Sequence, residues 1–169
     1  LPFLTQILVG TSNFLLGYWY IVLFGMAATA ILVRQWKNTD QGRLTWDRYK
    51  LKMPIIGPLL ELITLSRFAR NFASMLSAGM PVTHALTVVA DATDNAWISK
   101  HIKDMRVGIE RGESLLRTAR QSDMFTPLIL QMIAVGEETG SVDDMLVNVA
   151  DFYDEDVDYG LKRLAESIE

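Results

Sequence analysis

The 169 residues contain no cysteine and only two histidines. Without thiols there can be no disulfide, no thiolate nucleophile and no cysteine-ligated zinc, and the composition fits a reducing compartment. His84 and His101 lie in amphipathic stretches, outside any HExxH spacing or serine–histidine–acid grouping. Each reads as a residue at the edge of a core rather than a ligand or base. Gly108 and Gly112 flank a short segment, but no Gly-Lys-Ser/Thr follows, so there is no phosphate-cradling loop. No enzyme activity, cofactor or metal is expected. Alternating strand patterns of useful length are also missing after Met53.

Charge is the second absence. From Leu1 to Val33 there is no Asp, Glu, Lys, Arg or His. Within that stretch Phe14 to Val33 is a nearly pure apolar run, and twenty helical residues rise about 30 Å, the thickness of a bilayer's hydrocarbon core. A helix satisfies its own backbone donors and acceptors, so it alone can carry a single segment through lipid. A buried core helix is the other reading of such a run. Length, flanking aromatics and the charge step at Arg34 favour the span. A cleavable signal peptide fits poorly, because there is no basic leading region and the apolar run is too long.

Residues 34–52 carry a net +4, from Arg34, Lys37, Arg43, Arg48, Lys50 and Lys52 against Asp40 and Asp47. Positive charge stays on the cytoplasmic side, so the C-terminal part is expected there. Tyr18, Trp19 and Tyr20 suit the outer interface, and Trp36 and Lys37 the inner one. Residues 1–13 mix apolar positions at helical spacing with Thr, Gln, Ser and Asn, as for a segment lying along the outer surface. The expected organisation is an interfacial segment over 1–13, a transmembrane helix over 14–36, a basic juxtamembrane linker over 37–57 and a cytoplasmic helical domain over 58–169. Because the first residue is Leu rather than Met, a piece of a longer protein is expected.

Inside the span, Gly25, Ala28 and Thr29 belong to a small-residue patch. Such a patch either packs against a neighbouring helix or simply faces lipid. No ionisable group lies there, which argues against a proton relay, an ion path or a solute transporter's midplane site.

The remainder is acidic: residues 66–169 hold ten Lys and Arg against seventeen Asp and Glu. That balance makes a poor nucleic-acid binder, whereas the basic stretch after the span suits anionic lipid headgroups. Six amphipathic helices are legible. The first carries Leu62, Leu65, Phe68, Phe72 and Leu76 and stops at Gly79 to Pro81. The second runs from Val82 to about Thr93. Asn95 caps a third that ends at Gly112, and Ser114 to Gln121 is a fourth. Thr126 before Pro127 starts a fifth, which Gly140 stops. Ser141 with Asp144 resembles a capping box for a sixth, whose stripe is Leu146, Val149, Tyr153, Val157, Leu161, Leu164 and Ile168. The expected fold is all-α: a six-helix cytoplasmic bundle preceded by one transmembrane helix.

Acidic residues are the main candidates for a site. Glu137, Glu138, Asp143 and Asp144 bracket the Gly140 turn, and Asp151, Asp154, Glu155 and Asp158 form a stripe at i, i+3, i+4 and i+7. Three readings stand: a solvated face, a docking face for another protein or for a second copy in a homo-oligomer, and a divalent-cation site lacking EF-hand spacing.

SRFARNFASMLSAGMPVTHAL (residues 66–86), IERGESLLRTA (109–119) and MIAVGEETGSVDDMLVNVADFYDEDV (132–157) together resemble the inner-membrane platform domain of type II secretion systems and type IV pilus machines. The overall character resembles a pilus-type member, such as that of the mannose-sensitive haemagglutinin pilus. One departure is Ser141, where the family usually has a hydrophobic residue; Val142 follows it. The resemblance implies a second copy of the family's helical domain with its preceding span. It also implies a non-enzymatic inner-membrane component that couples a cytoplasmic hexameric ATPase to the polymerisation of pilin or pseudopilin, beside other inner-membrane assembly proteins. From the residues alone, a membrane-anchored helical signalling adaptor stays open as the alternative.

Overall fold

The computed structural model describes residues 2–166. Among them are eight α-helices and no strand. The chain divides into two compact units, Leu1–Arg43 and Leu44–Glu169.

In the first unit, α1 (Phe3–Asn38) is one helix of 36 residues. The expected surface segment and the apolar run are therefore continuous, with one interruption at Tyr18, whose φ of −125° and ψ of 18° leave helical geometry. Leu16–Asn38 has a mean hydropathy of 1.9 and is long and apolar enough to cross a membrane. Lys37 occupies the last turn, where the helix dipole favours a cation. Extended backbone at Thr39 ends the helix. A second helix, α2 (Asp40–Leu51), then takes up most of the stretch that composition alone suggests is a linker.

The second unit holds α3 (Ile56–Ser77), α4 (Val82–Asp91), α5 (Ala96–Glu110), α6 (Leu115–Ser122), α7 (Pro127–Thr139) and α8 (Val142–Glu166). These are the six helices expected from periodicity. Two starts, those of α5 and α7, have the expected cause, and α6 has a cap of the same kind. Asn95 accepts from the N–H groups of Trp97 and Ile98, Ser114 from that of Arg117, and Thr126 from that of Ile129 ahead of Pro127 in the first turn. Each cap satisfies donors that a helix cannot satisfy itself.

Each of the six packs on the next in sequence, and α8 returns to pack on α3, so the helices form a closed ring. The α3–α8 interface is the broadest of the six. Gly160 lies opposite Leu59, Asp154 opposite Ser66, Asp151 opposite Arg70 and Asp143 opposite Ser77. Position falls on α8 as it rises on α3, so the two run antiparallel in a single register. Phe72, Leu86, Ile98, Ile102, Ile129, Val149 and Tyr153 fill the interior. Phe68 stacks near Phe72 at 5.5 Å and meets Phe125 at 6.0 Å, which ties the α6–α7 connection to α3.

Two local expectations need correction. The capping box does not form: the Ser141 hydroxyl pairs with that of Thr139, and its N–H donates to the Gly136 carbonyl. That bond closes α7 around Gly140, whose φ of 72° is left-handed. The α8 stripe is buried at Leu146, Val149 and Tyr153 but reaches solvent at Leu161, because by then α8 has come level with the start of α3. Ile168 lies outside the described residues. On α7 it is Ile129 and Ile133 that are buried, while Leu128 and Val135 face outward.

Gly136 marks the closest approach of α7 to α8. A Cβ there would stand 3.0 Å from Met145 Cβ and from Val142 Cα. Gly136→Val is expected to force the two helices apart at a cost of about 1–3 kcal/mol. A thermal melt of the purified chain should show the drop.

Candidate functional site

Polar groups line the α3–α8 seam. Ser66, only 4% exposed, donates its hydroxyl to the Asp154 carboxylate in a short hydrogen bond. Arg70 Nη2 stands 2.5 Å from the other Asp154 oxygen and 3.1 Å from Asp151 Oδ1. Further along, Ser77 donates to Asp143 Oδ2 at 3.0 Å. The arginine and both aspartates are about half exposed, and exposed pairs contribute little net stability. Their geometry instead distinguishes one register from its neighbours, because a shift of one residue would separate every pair.

The Ser66 hydrogen bond, then the Arg70 guanidinium, hold the Asp154 carboxyl below the usual carboxylate range, while hydrogen bonding to Asp154 raises Arg70. Glu61, half-buried on α3, shifts the other way, because burial disfavours its charged form. Burial, reinforced by the charges of Glu61 and Asp156, pushes the Tyr153 phenol well above its ordinary value. Its hydroxyl is buried and has no hydrogen-bond partner among the described residues.

Two carboxylates act as remote caps. Glu137, on α7, accepts from the N–H groups of Leu115 at 2.9 Å and Leu116 at 3.2 Å. Ser114 takes that of Arg117, so the first three donors of α6 are all satisfied. Asp47, on α2 and only 7% exposed, does the same for α5. Its Oδ2 accepts from the Ala96 N–H at 2.7 Å while Asn95 serves the next two donors. Asn95 Nδ2 also donates to the Asp47 carbonyl at 3.3 Å. A carboxylate at a helix N-terminus gains from both the hydrogen bonds and the dipole.

Of the eight acidic candidates, Glu137, Asp143, Asp151 and Asp154 thus bond within the domain. Glu138, Asp144, Glu155 and Asp158 make no ion pair or side-chain hydrogen bond among the described residues, and all four are exposed. No three His, Cys, Asp or Glu among the described residues converge as a metal cage would require. In the first unit, Gly25 and Thr29 share a shallow concave face with Met26, Ala30 and Val33, and Ala28 lies off it. Thr29 returns its hydroxyl to the Gly25 carbonyl at 2.7 Å. His84 is exposed; His101 is half-buried, with Nδ1 2.8 Å from the Trp97 carbonyl.

Sequence reasoning missed Ser66, Arg70, Asp47 and Glu61. The first two carried a signal, standing four apart along the border of the apolar stripe of α3, just as Asp151 and Asp154 stand three apart on α8. Asp47 carried none, since nothing local says which helix end a distant carboxylate will cap.

These features define a class: an all-helical domain closed into a ring, preceded in sequence by a helix of membrane-spanning length. A family model described as "Type II secretion system (T2SS), protein F" matches residues 68–169, and the chain belongs to that family. It is similar to the type IV pilus assembly protein TapC of Aeromonas hydrophila, at 33% identity over 99% of this chain and 42% of that protein. It is also similar to the type IV pilus assembly protein PilC of Pseudomonas aeruginosa, at 34% over 100% of this chain and 46% of that protein. The type II secretion system protein F of Vibrio cholerae is similar at 31% over 91% of this chain and 38% of that protein. The chain spans less than half the length of these relatives.

Glu137→Ala is expected to cost about 1–2 kcal/mol and to speed hydrogen exchange at the Leu115 and Leu116 amides. Exchange measured by mass spectrometry tests this directly. For Asp154, whose folded pKa is depressed, the stabilisation is complete above the unfolded carboxylate pKa and is lost as pH falls through the folded one. Asp154→Asn should therefore flatten the acid limb of a stability–pH profile. Glu61 has the opposite sign: its raised pKa means the charged form opposes folding. Glu61→Gln should therefore raise the melting temperature at neutral pH, and unchanged melting would contradict the assigned burial.

Proposed function

We propose that the chain is part of a non-enzymatic inner-membrane platform of a type IV pilus or type II secretion machine. In this reading Leu16–Asn38 crosses the membrane and the helical ring lies in the cytoplasm. There the ring couples a hexameric assembly ATPase to the polymerisation of pilin or pseudopilin. The observation that carries the proposal is the family match over the ring together with the span-length helix ahead of it. The names of the similar pilus and secretion proteins support it, and so does the basic charge that follows the apolar run.

Within this reading the internally bonded acids hold the domain together, and the unpaired ones are the partner face. Glu138, Asp144, Glu155 and Asp158, with Leu128, Val135 and Val147 exposed on the same two helices, offer acidic and apolar surface together. A partner presenting basic residues around an apolar centre is complementary to it, whether the ATPase or a second copy of the chain. The Gly25 and Thr29 face is proposed to receive a neighbouring span.

The lack of cysteine makes orientation easy to measure. Ser12→Cys and Glu138→Cys give single labels in an otherwise thiol-free chain. A membrane-impermeant maleimide applied to spheroplasts is expected to label only the first, and inverted vesicles should give the reverse. Reversing the charge of Glu138, Asp144, Glu155 and Asp158 together is expected to abolish co-purification of the assembly ATPase or self-association, with the melting temperature unchanged. Retention of both interactions would remove these residues from the partner face.

A further inference from the structure

Two grooves flank the turn that joins α2 to α3. One, of about 450 Å³, is lined by Arg48, Tyr49, Lys52, Trp97, Lys100 and His101. The other, of about 430 Å³, is lined mainly by apolar residues, Pro54, Ile55, Pro58, Leu62 and Leu164, together with Arg163. The two are thus cationic and aromatic on one side and apolar on the other, with Lys52 and Pro54 only two residues apart. The turn between them carries Met53, Ile55 and Ile56, which are 52%, 63% and 52% exposed.

The charge in the first groove is available. Arg48 and Lys52 are exposed and make no ion pair among the described residues. Lys100 is held by Asp104 at 3.0 Å, and the Asp47 carboxylate is taken up by the Ala96 N–H at 2.7 Å and by Lys50 at 3.3 Å. The His101 ring lies 4.1 Å from that of Trp97, and its Nδ1 pairs with the Trp97 carbonyl at 2.8 Å, which holds the two rings side by side. Two unpaired cations beside indole and phenol rings suit a phosphate at the level of a lipid headgroup. An apolar groove and three exposed aliphatic side chains beside it suit acyl chain, and do not suit a soluble phosphate compound.

We propose that the α2–α3 junction of the second unit is a binding site for an anionic phospholipid, with the phosphate between Arg48 and Lys52 and acyl chain against Ile55, Pro58 and Leu62. The site rests on the reading that the chain resides in a membrane. It adds a specific lipid contact made by the second unit's own residues.

The full chain in detergent, examined by native mass spectrometry, tests it with three probes: phosphatidylglycerol, phosphatidylcholine and glycerol 3-phosphate. Phosphatidylglycerol is expected to remain bound, phosphatidylcholine to bind at least about tenfold more weakly and glycerol 3-phosphate not at all. Arg48→Ala with Lys52→Ala should lower retention of phosphatidylglycerol about tenfold or more. Ile55→Ser with Ile56→Ser should lower it several-fold. All four positions are exposed, and melting curves of both variants confirm that folding is unaffected. Equal retention by wild type and the Arg48/Lys52 variant overturns the site. Binding of glycerol 3-phosphate as tight as that of the lipid overturns the lipid assignment in favour of a soluble phosphate ligand. Carbonate extraction of the same proteins keeps the two readings apart. A chain that stays in the membrane but shows no lipid preference loses only the site, whereas a chain that is extracted loses the membrane reading.

Discussion

The contact between α3 and α8 is the constraint on which the second unit depends. Five of the six helix contacts join sequence neighbours and form almost wherever short connections fold back. The sixth joins residues about eighty positions apart and has to overcome the closure entropy of the whole loop between them. It does so by burying Leu65, Phe68, Ala69, Phe72 and Ala73 of α3 and Leu146, Val149, Ala150 and Tyr153 of α8 in one shared core. Apolar burial of that kind supplies strength but tolerates sliding. The Ser66–Asp154, Arg70–Asp151 and Ser77–Asp143 pairs do not tolerate it, and together they make one alignment preferable.

The segment Gly136 to Gly140 shows the same economy in a few residues. Gly136 lets α8 approach α7, Glu137 crosses to cap α6, and Gly140 ends α7 in a left-handed turn that starts α8. Three helices therefore meet within five residues, of which Gly136, Glu137 and Gly140 each have their own steric or electrostatic requirement. The Asp151-Phe152-Tyr153 segment is a second such node. Asp151 faces Arg70 across the seam, while Tyr153, two residues on, is the largest fully buried side chain.

Helix positions, caps and most of the core were legible because they follow from local rules. Asn95 and Thr126 sit where a short polar side chain must precede an apolar period, and the structure uses each as a cap. Long-range roles were not legible in this way. A run of aspartates on α8 reads as one stripe, yet it divides into Asp151 and Asp154, which face Arg70, and Glu155 and Asp158, which face solvent. Only the partner helix decides the division. Asp47 is the extreme case: within a basic segment it reads as a stray counter-charge, and it becomes a nearly buried cap for α5. The failed Ser141–Asp144 pair has the same lesson in reverse, since the closure of the preceding helix took the N–H group that the capping box needed.

Ring closure also bears on the proposed role. In an open row of helices, a force applied to one end strains each contact in series, and the weakest yields first. In a closed ring, a displacement of any one helix must break two contacts at once, and the load divides between both directions around the circle. The remote caps add to this effect, because Glu137 couples α7 to the start of α6 and Asp47 couples α2 to the start of α5 by bonds that are nearly rigid in direction. A domain built this way resists unravelling helix by helix. In the proposed role, that resistance is what transmission of motion from a motor to a membrane segment requires.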